Sequence, residues 1–83
     1  MSFLEVGETA VIEDGKEYAC YANIPYEGKR YAFLVNIKDK NEKLIVEQRT
    51  NFGELELEII SDGELKEKLM DLFLKKISSM KIN

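Results

Sequence analysis

The sequence contains no histidine, which removes the usual general base near neutral pH and the commonest metal ligand. It has one cysteine, Cys20, and a single thiolate cannot build a zinc site. Small secreted domains usually carry paired cysteines, so a lone Cys20 points to a reducing compartment and reads as a small buried hydrophobe. No apolar run approaches the roughly 18 residues of a membrane span. Glu5, Glu8 and Glu13 interrupt the N-terminal stretch where a secretory signal would be continuous and apolar. Together these absences predict a cytoplasmic protein with no membrane partner. Also missing are a P-loop, a dinucleotide fingerprint, a nucleophile elbow and carboxylates at calcium-loop spacing. The expectation is therefore a non-enzyme with no catalytic residues, no cofactor and no metal.

The excess of one sign of charge over the other is small as well. A net charge of -4 argues against nonspecific binding to nucleic acid or anionic lipid, and it is too small for a mimic of DNA. With 45% hydrophobic and 34% charged residues and only one proline, the composition is that of a folded protein rather than a disordered tail. A chain of 83 residues makes one domain, 1–83, with one small core.

What is present is organised around two apolar, aromatic-rich runs, Lys16 to Ile24 and Arg30 to Lys38. Pro25-Tyr26-Glu27-Gly28-Lys29 joins them, so they read as a β-hairpin. Alternation assigns Tyr18, Cys20, Ala22, Ile24, Tyr31, Phe33, Val35 and Ile37 to one face. Glu17, Ala19, Tyr21, Asn23, Arg30, Ala32, Leu34, Asn36 and Lys38 fall on the other. Before this hairpin, Glu8 to Glu13 predicts a first strand, with either Ala10 and Ile12 or Thr9 and Val11 inward. Asp14-Gly15 turns it into the second, since a DG pair suits the positive φ of a tight turn.

After the hairpin, Asp39-Lys40-Asn41-Glu42 reads as a loop and Lys43 to Thr50 as a fourth strand. Asn51-Phe52-Gly53 makes another turn. Glu54 to Ile59 then alternates strictly, with Leu55, Leu57 and Ile59 inward and Glu54, Glu56 and Glu58 in water. The final segment changes period. Leu65, Leu69, Leu72, Phe73, Ile77 and Met80 recur at helical spacing. Ser61 and Glu64 have capping-box spacing, although Gly63 suggests that the helix begins a residue or two later. Lys75, Lys76 and Lys81 suit the negative end of the helix dipole. The predicted fold is α+β, a five-stranded antiparallel β-meander with one C-terminal amphipathic helix packed on the face that bears Tyr31, Phe33 and Val35.

The order Asp14-Gly15-Lys16-Glu17-Tyr18, then Tyr26-Glu27-Gly28-Lys29-Arg30-Tyr31-Ala32 leading into Phe33-Leu34-Val35, resembles the YrzB-like family of short, acidic, uncharacterised bacterial proteins. The likeness runs from about Gly7 to Val46 and loosens after that. This chain is less acidic than the family pattern and carries a longer, more basic C-terminal helix. The resemblance implies a bacterial source and a strand, turn, strand order, and it brings no catalytic residues.

Two local patterns invite a functional reading. Glu54, Glu56 and Glu58 share one strand face at about 6 to 7 Å spacing, close enough for two to bridge a hard cation, but they read as a solvated strand face. Lys29 to Asn36 partly matches an RNA-recognition consensus in which sheet aromatics stack on bases. Arg30 stands there for its glycine and Asn36 for its last aromatic, and the helix needs Tyr31 and Phe33 for the core. A third signal is the sheet face turned away from the helix. It is apolar near its centre, at Tyr21, Leu34 and Ile45, where a free antiparallel face is normally polar. Phe3 and Leu4 could cover it. Alternatively it is an interface rimmed by Glu47, Arg49, Glu56 and Glu58. The reading that follows is a small protein-binding module that contacts a protein partner or a second copy of itself as a homodimer. A single-stranded nucleic-acid binder and a mobile-element-encoded inhibitor of a host enzyme are the alternatives.

Overall fold

The computed structural model describes residues 3–12 and 14–80, with Met80 as backbone alone. Glu13, the side chain of Met80 and Lys81, each used in the sequence reading, lie outside the described residues. The elements are strands β1 (Thr9–Val11), β2 (Glu17–Tyr26), β3 (Lys29–Asn36), β4 (Lys43–Asn51) and β5 (Glu54–Ile59), then helix α1 (Gly63–Met80). The strands form one antiparallel sheet in the order β1-β2-β3-β4-β5, with α1 packed on one face, as the alternation and the late change of period predict.

Turn chemistry fixes the hairpins. The β2–β3 connection is a two-residue turn in which Glu27 has φ 50° and Gly28 φ 81°, so Tyr26 pairs directly with Lys29. The β4–β5 turn repeats this geometry at Phe52 (φ 53°) and Gly53 (φ 81°). Positive φ at both central residues gives the turn a twist that matches the flanking strands. At β1–β2, Gly15 N-H donates to the Ile12 carbonyl at 2.8 Å, and the Asp14 carboxylate accepts from Lys16 N-H at 2.8 Å.

One irregularity changes the assignment of faces. The β2–β3 register slips between Cys20 and Ala22, which leaves Tyr21 as an extra residue in a bulge. Past an extra residue, alternation resumes with opposite parity. Ala22 and Ile24 therefore face the helix, together with Tyr31, Phe33, Val35 and Ile45. Tyr18 and Cys20, expected on that same face, instead join Ala32, Leu34 and Val46 on the opposite one. Ile37, also expected inward, is 47% exposed, because β3 ends at Asn36. The Asn36 side-chain oxygen there accepts from the N-H groups of Lys38 and Asp39, at 2.7 and 3.2 Å, and turns the chain away.

The helix drives Leu69 and Phe73 into its face of the sheet, where the Phe73 and Phe33 rings lie 5.6 Å apart. Its cap is Asp62 rather than Ser61. The Asp62 carboxylate accepts from Leu65 N-H at 3.2 Å, satisfying one of the free donors of the first turn. Gly63 is consequently the first helical residue.

The opposite face is closed by the N-terminal segment, in which Leu4 is buried among Ile12, Tyr18, Cys20, Leu34 and Val46. Two sheet side chains hold the Leu4 backbone. Its N-H donates to Gln48 Oε1 at 2.8 Å, and its carbonyl accepts from Asn23 Nδ2 at 2.8 Å. Phe3 lies beneath the Arg30 guanidinium, which sits 5.1 Å from the ring centre.

Candidate interaction surface

Of the three residues proposed from sequence as an interface, the structure brings none together. Leu34 has no exposed surface, because Leu4 and Ile12 cover the face on which it lies. Ile45 is 1% exposed and sits on the other face, beneath the helix, since it pairs with Phe33 across β3–β4 and shares that residue's parity. Only Tyr21 reaches solvent, lifted out of the ladder by the bulge. The apolar centre of the second face is therefore core. Tyr31 and Phe33 are likewise buried against the helix, which leaves neither ring a face on which a base could stack.

A concavity of about 500 Å³ lies at the β1–β2 and β3–β4 loop end, lined by Lys16, Glu17, Asn36, Ile37 and Glu42 among others. Three of its polar side chains are already engaged with one another. Lys16 Nζ contacts Glu42 Oε2 at 2.9 Å, and this hydrogen bond, followed by the Glu42 charge, holds the lysine pKa above its ordinary value. Asn36 Nδ2 donates to the other Glu42 oxygen at 2.8 Å. Nearby, burial first and then a hydrogen bond to Asp14 (3.0 Å) hold the Tyr18 phenol in its neutral form by raising its pKa. Burial raises the Cys20 thiol too, with a partial offset from its contact with the Ala22 carbonyl. A buried thiol kept protonated is a poor nucleophile. Among the described residues no group of metal-ligating side chains converges.

The β4–β5 hairpin is arranged differently. Its turn presents the Phe52 ring with 100% of its surface exposed, at a backbone position with φ 53°. A Cβ-bearing residue in this region costs about 1 kcal/mol relative to glycine, and asparagine is the side chain that tolerates it best. From the turn, β5 runs as the outer strand of the sheet. Leu55, Leu57 and Ile59 lie half-buried on the face closed by Leu4, beyond the reach of full coverage, while Glu54, Glu56 and Glu58 point to the helix side in solvent. Arg49, across the ladder, engages the Glu58 carboxylate and lies 3.8 Å from Glu47. Glu54 and Glu56 have no basic partner among the described residues.

No family model, curated protein or solved structure matches the chain. The surface is thus read from its own geometry. In the sequence Phe52 stands only as part of the Asn51-Phe52-Gly53 turn. The available signal was an aromatic between Asn51 and Gly53, where turn chemistry calls for a small polar residue.

Proposed function

We propose that this chain is a non-catalytic, cytoplasmic protein-binding module whose contact surface is the β4–β5 hairpin end rather than the centre of the sheet. Phe52 carries the reading. A fully exposed phenyl ring contributes nothing to the core, and its φ makes it a poor choice for the turn, so the fold gives no reason for it. Contact with a partner supplies one, since exposed aromatics anchor interfaces. The half-exposed row Leu55, Leu57 and Ile59 lies on β5, the strand that leaves this turn. The likeness to the YrzB-like family spans β1 to the start of β4 and does not reach this hairpin end.

The test compares wild type with Phe52→Asn, by sedimentation for self-association and by capture from nuclease-treated lysate for partners. The substituted chain should be as stable or more so, by about 0.5 to 1 kcal/mol, because asparagine suits the turn. It should also lose the species that the wild type retains. Unchanged self-association and an unchanged set of captured proteins would sink the proposal.

A further inference from the structure

The outer edge of β5 has three properties that together specify an occupant. The first is a free row of backbone groups in fixed register. In a two-residue hairpin the pair flanking the turn, here Asn51 and Glu54, is hydrogen-bonded, and bonded and non-bonded pairs then alternate. The bond from Ile60 N-H to the Ile45 carbonyl at 2.9 Å has the same parity. Glu54, Glu56 and Glu58 therefore spend their backbone groups on β4. Leu55, Leu57 and Ile59 aim theirs outward, and no hydrogen bond among the described residues uses them. The β1 edge offers no equivalent, being three residues long.

The second property is chemical alternation along that edge. A strand laid antiparallel on β5 would bond to Leu55, Leu57 and Ile59 and place the side chains opposite them on the apolar face. Its intervening side chains would lie beside Glu56 and Glu58. The third is exclusion of a second copy. Because the outward groups sit on the same residues in both copies, β5 laid antiparallel on β5 has to set leucine opposite leucine or isoleucine and glutamate opposite glutamate, and laid parallel it would set the leucines of one copy opposite the glutamates of the other. Like charges directly opposite are destabilising, and such acidic residues guard edges against self-pairing.

We infer that the β5 edge receives an extended segment of another protein in which apolar residues alternate with lysine or arginine, added antiparallel as a sixth strand. This rests on the protein-binding reading and names the partner's chemistry. Backbone bonds to three residues supply the docking, the apolar row sets the face, and Glu56, which unlike the Arg49-paired Glu58 has no basic partner among the described residues, selects the charge.

The probe is a capped peptide of alternating valine and lysine, titrated against the full chain by fluorescence anisotropy. Its counterpart has glutamate for every lysine. The basic peptide should bind, more weakly as salt rises, and the acidic one at least roughly tenfold more weakly. Methylating the peptide amides that would face β5 should abolish binding, whereas methylating those on its outer edge should leave it nearly unchanged. These controls leave the protein untouched. Within the chain, Leu57→Pro removes an outward N-H that β4 does not use and should abolish binding. Glu56→Lys should narrow or invert the preference between the two peptides. Equal binding of both peptides, or insensitivity to which edge is methylated, would overturn the inference. If the peptides fail while Phe52→Asn still loses a captured partner, the strand-addition idea falls and the protein-binding reading stands. If the peptides behave as expected and Phe52→Asn changes nothing in lysate, the edge stands and the Phe52 anchor falls.

Discussion

One face of the sheet is closed by an 18-residue helix that inserts Leu69 and Phe73, and the other by a short segment that inserts Leu4. The helix supplies its own backbone hydrogen bonds, so its attachment needs only apolar contact. The N-terminal segment makes no ladder at Leu4, and its backbone is held by the amides of Gln48 and Asn23. Gln48 is 2% exposed, and its Nε2 has no partner among the described residues. A polar group so placed weakens the local core, which suggests that holding Leu4 is the reason for a glutamine there. Similar burial is thus reached by a regular element on one side and by two side-chain clamps on the other.

The largest expected effect comes from placing a charge under the lighter cover. Leu34→Glu buries a carboxylate on the Leu4 face without a partner, which costs several kcal/mol against a total stability of about 5 to 15. Circular dichroism should show an unfolded chain at neutral pH. A folded variant would mean that the Leu4 cover opens easily, and would widen the contrast between the faces.

Next come the two covers themselves. Phe73→Ala should cost about 3 to 5 kcal/mol and Leu4→Ala about 2, measured by urea unfolding. Equal losses would show the N-terminal segment, a strap over its face of the sheet, to be as strong a cover as the helix. Smaller again is Asn23→Ala, which removes one clamp and should cost about 1 kcal/mol, with faster hydrogen exchange confined to the strap and its neighbours. Exchange that rises equally in α1 would erase the distinction.

The smallest effect at neutral pH is ionic. Tyr18 and Tyr31 have pKa values raised above 10.0 and Cys20 above 9.0, in each case chiefly by burial. For a group whose folded pKa is raised, the stabilisation is complete below the unfolded pKa and disappears as pH climbs through the folded one. Stability should therefore be level from pH 7 to about 8.5 and fall at higher pH. Tyr18 and Cys20 lie under the strap and Tyr31 under the helix, so Tyr31→Phe removes the helix side's share and Tyr18→Phe leaves only that of Cys20 on the other side. A profile that is flat up to pH 11 in the wild type would contradict the burial of these groups.

Much of the architecture was legible because its signals are periodic. Strict alternation in β5, the DG turn, the glycine-containing β2–β3 connection and the helical stripe each repeat or carry turn chemistry, and each predicted its element, although the connection expected over Pro25 to Lys29 is only Glu27-Gly28. The bulge was not legible. An inserted Tyr21 beside Ala22 leaves the run apolar throughout, so nothing marks the change of parity that moved Tyr18 and Cys20 to the other face. Ile45 was misplaced for a related reason, since Leu44, Ile45 and Val46 are all apolar and only the pairing with β3 decides which points where. The strap has no period at all, and its clamps are contributed by distant residues. The candidate surface was legible in part. The outward glutamates were visible in β5, but the unused backbone edge beside them depends on which strand ends the sheet.

Every strand of this sheet pairs only with its neighbour in sequence. Such pairings need only short loops to close, and short loops lower the entropic barrier that slows most sheet proteins. The five strands can then assemble from hairpins in succession before either cover arrives. The bond between Leu4 and Gln48 spans 44 positions and closes a much longer loop. A sheet formed first would for a time display both apolar faces and the unguarded backbone of β5's leucines, with Glu54, Glu56 and Glu58 already set against pairing between nascent copies.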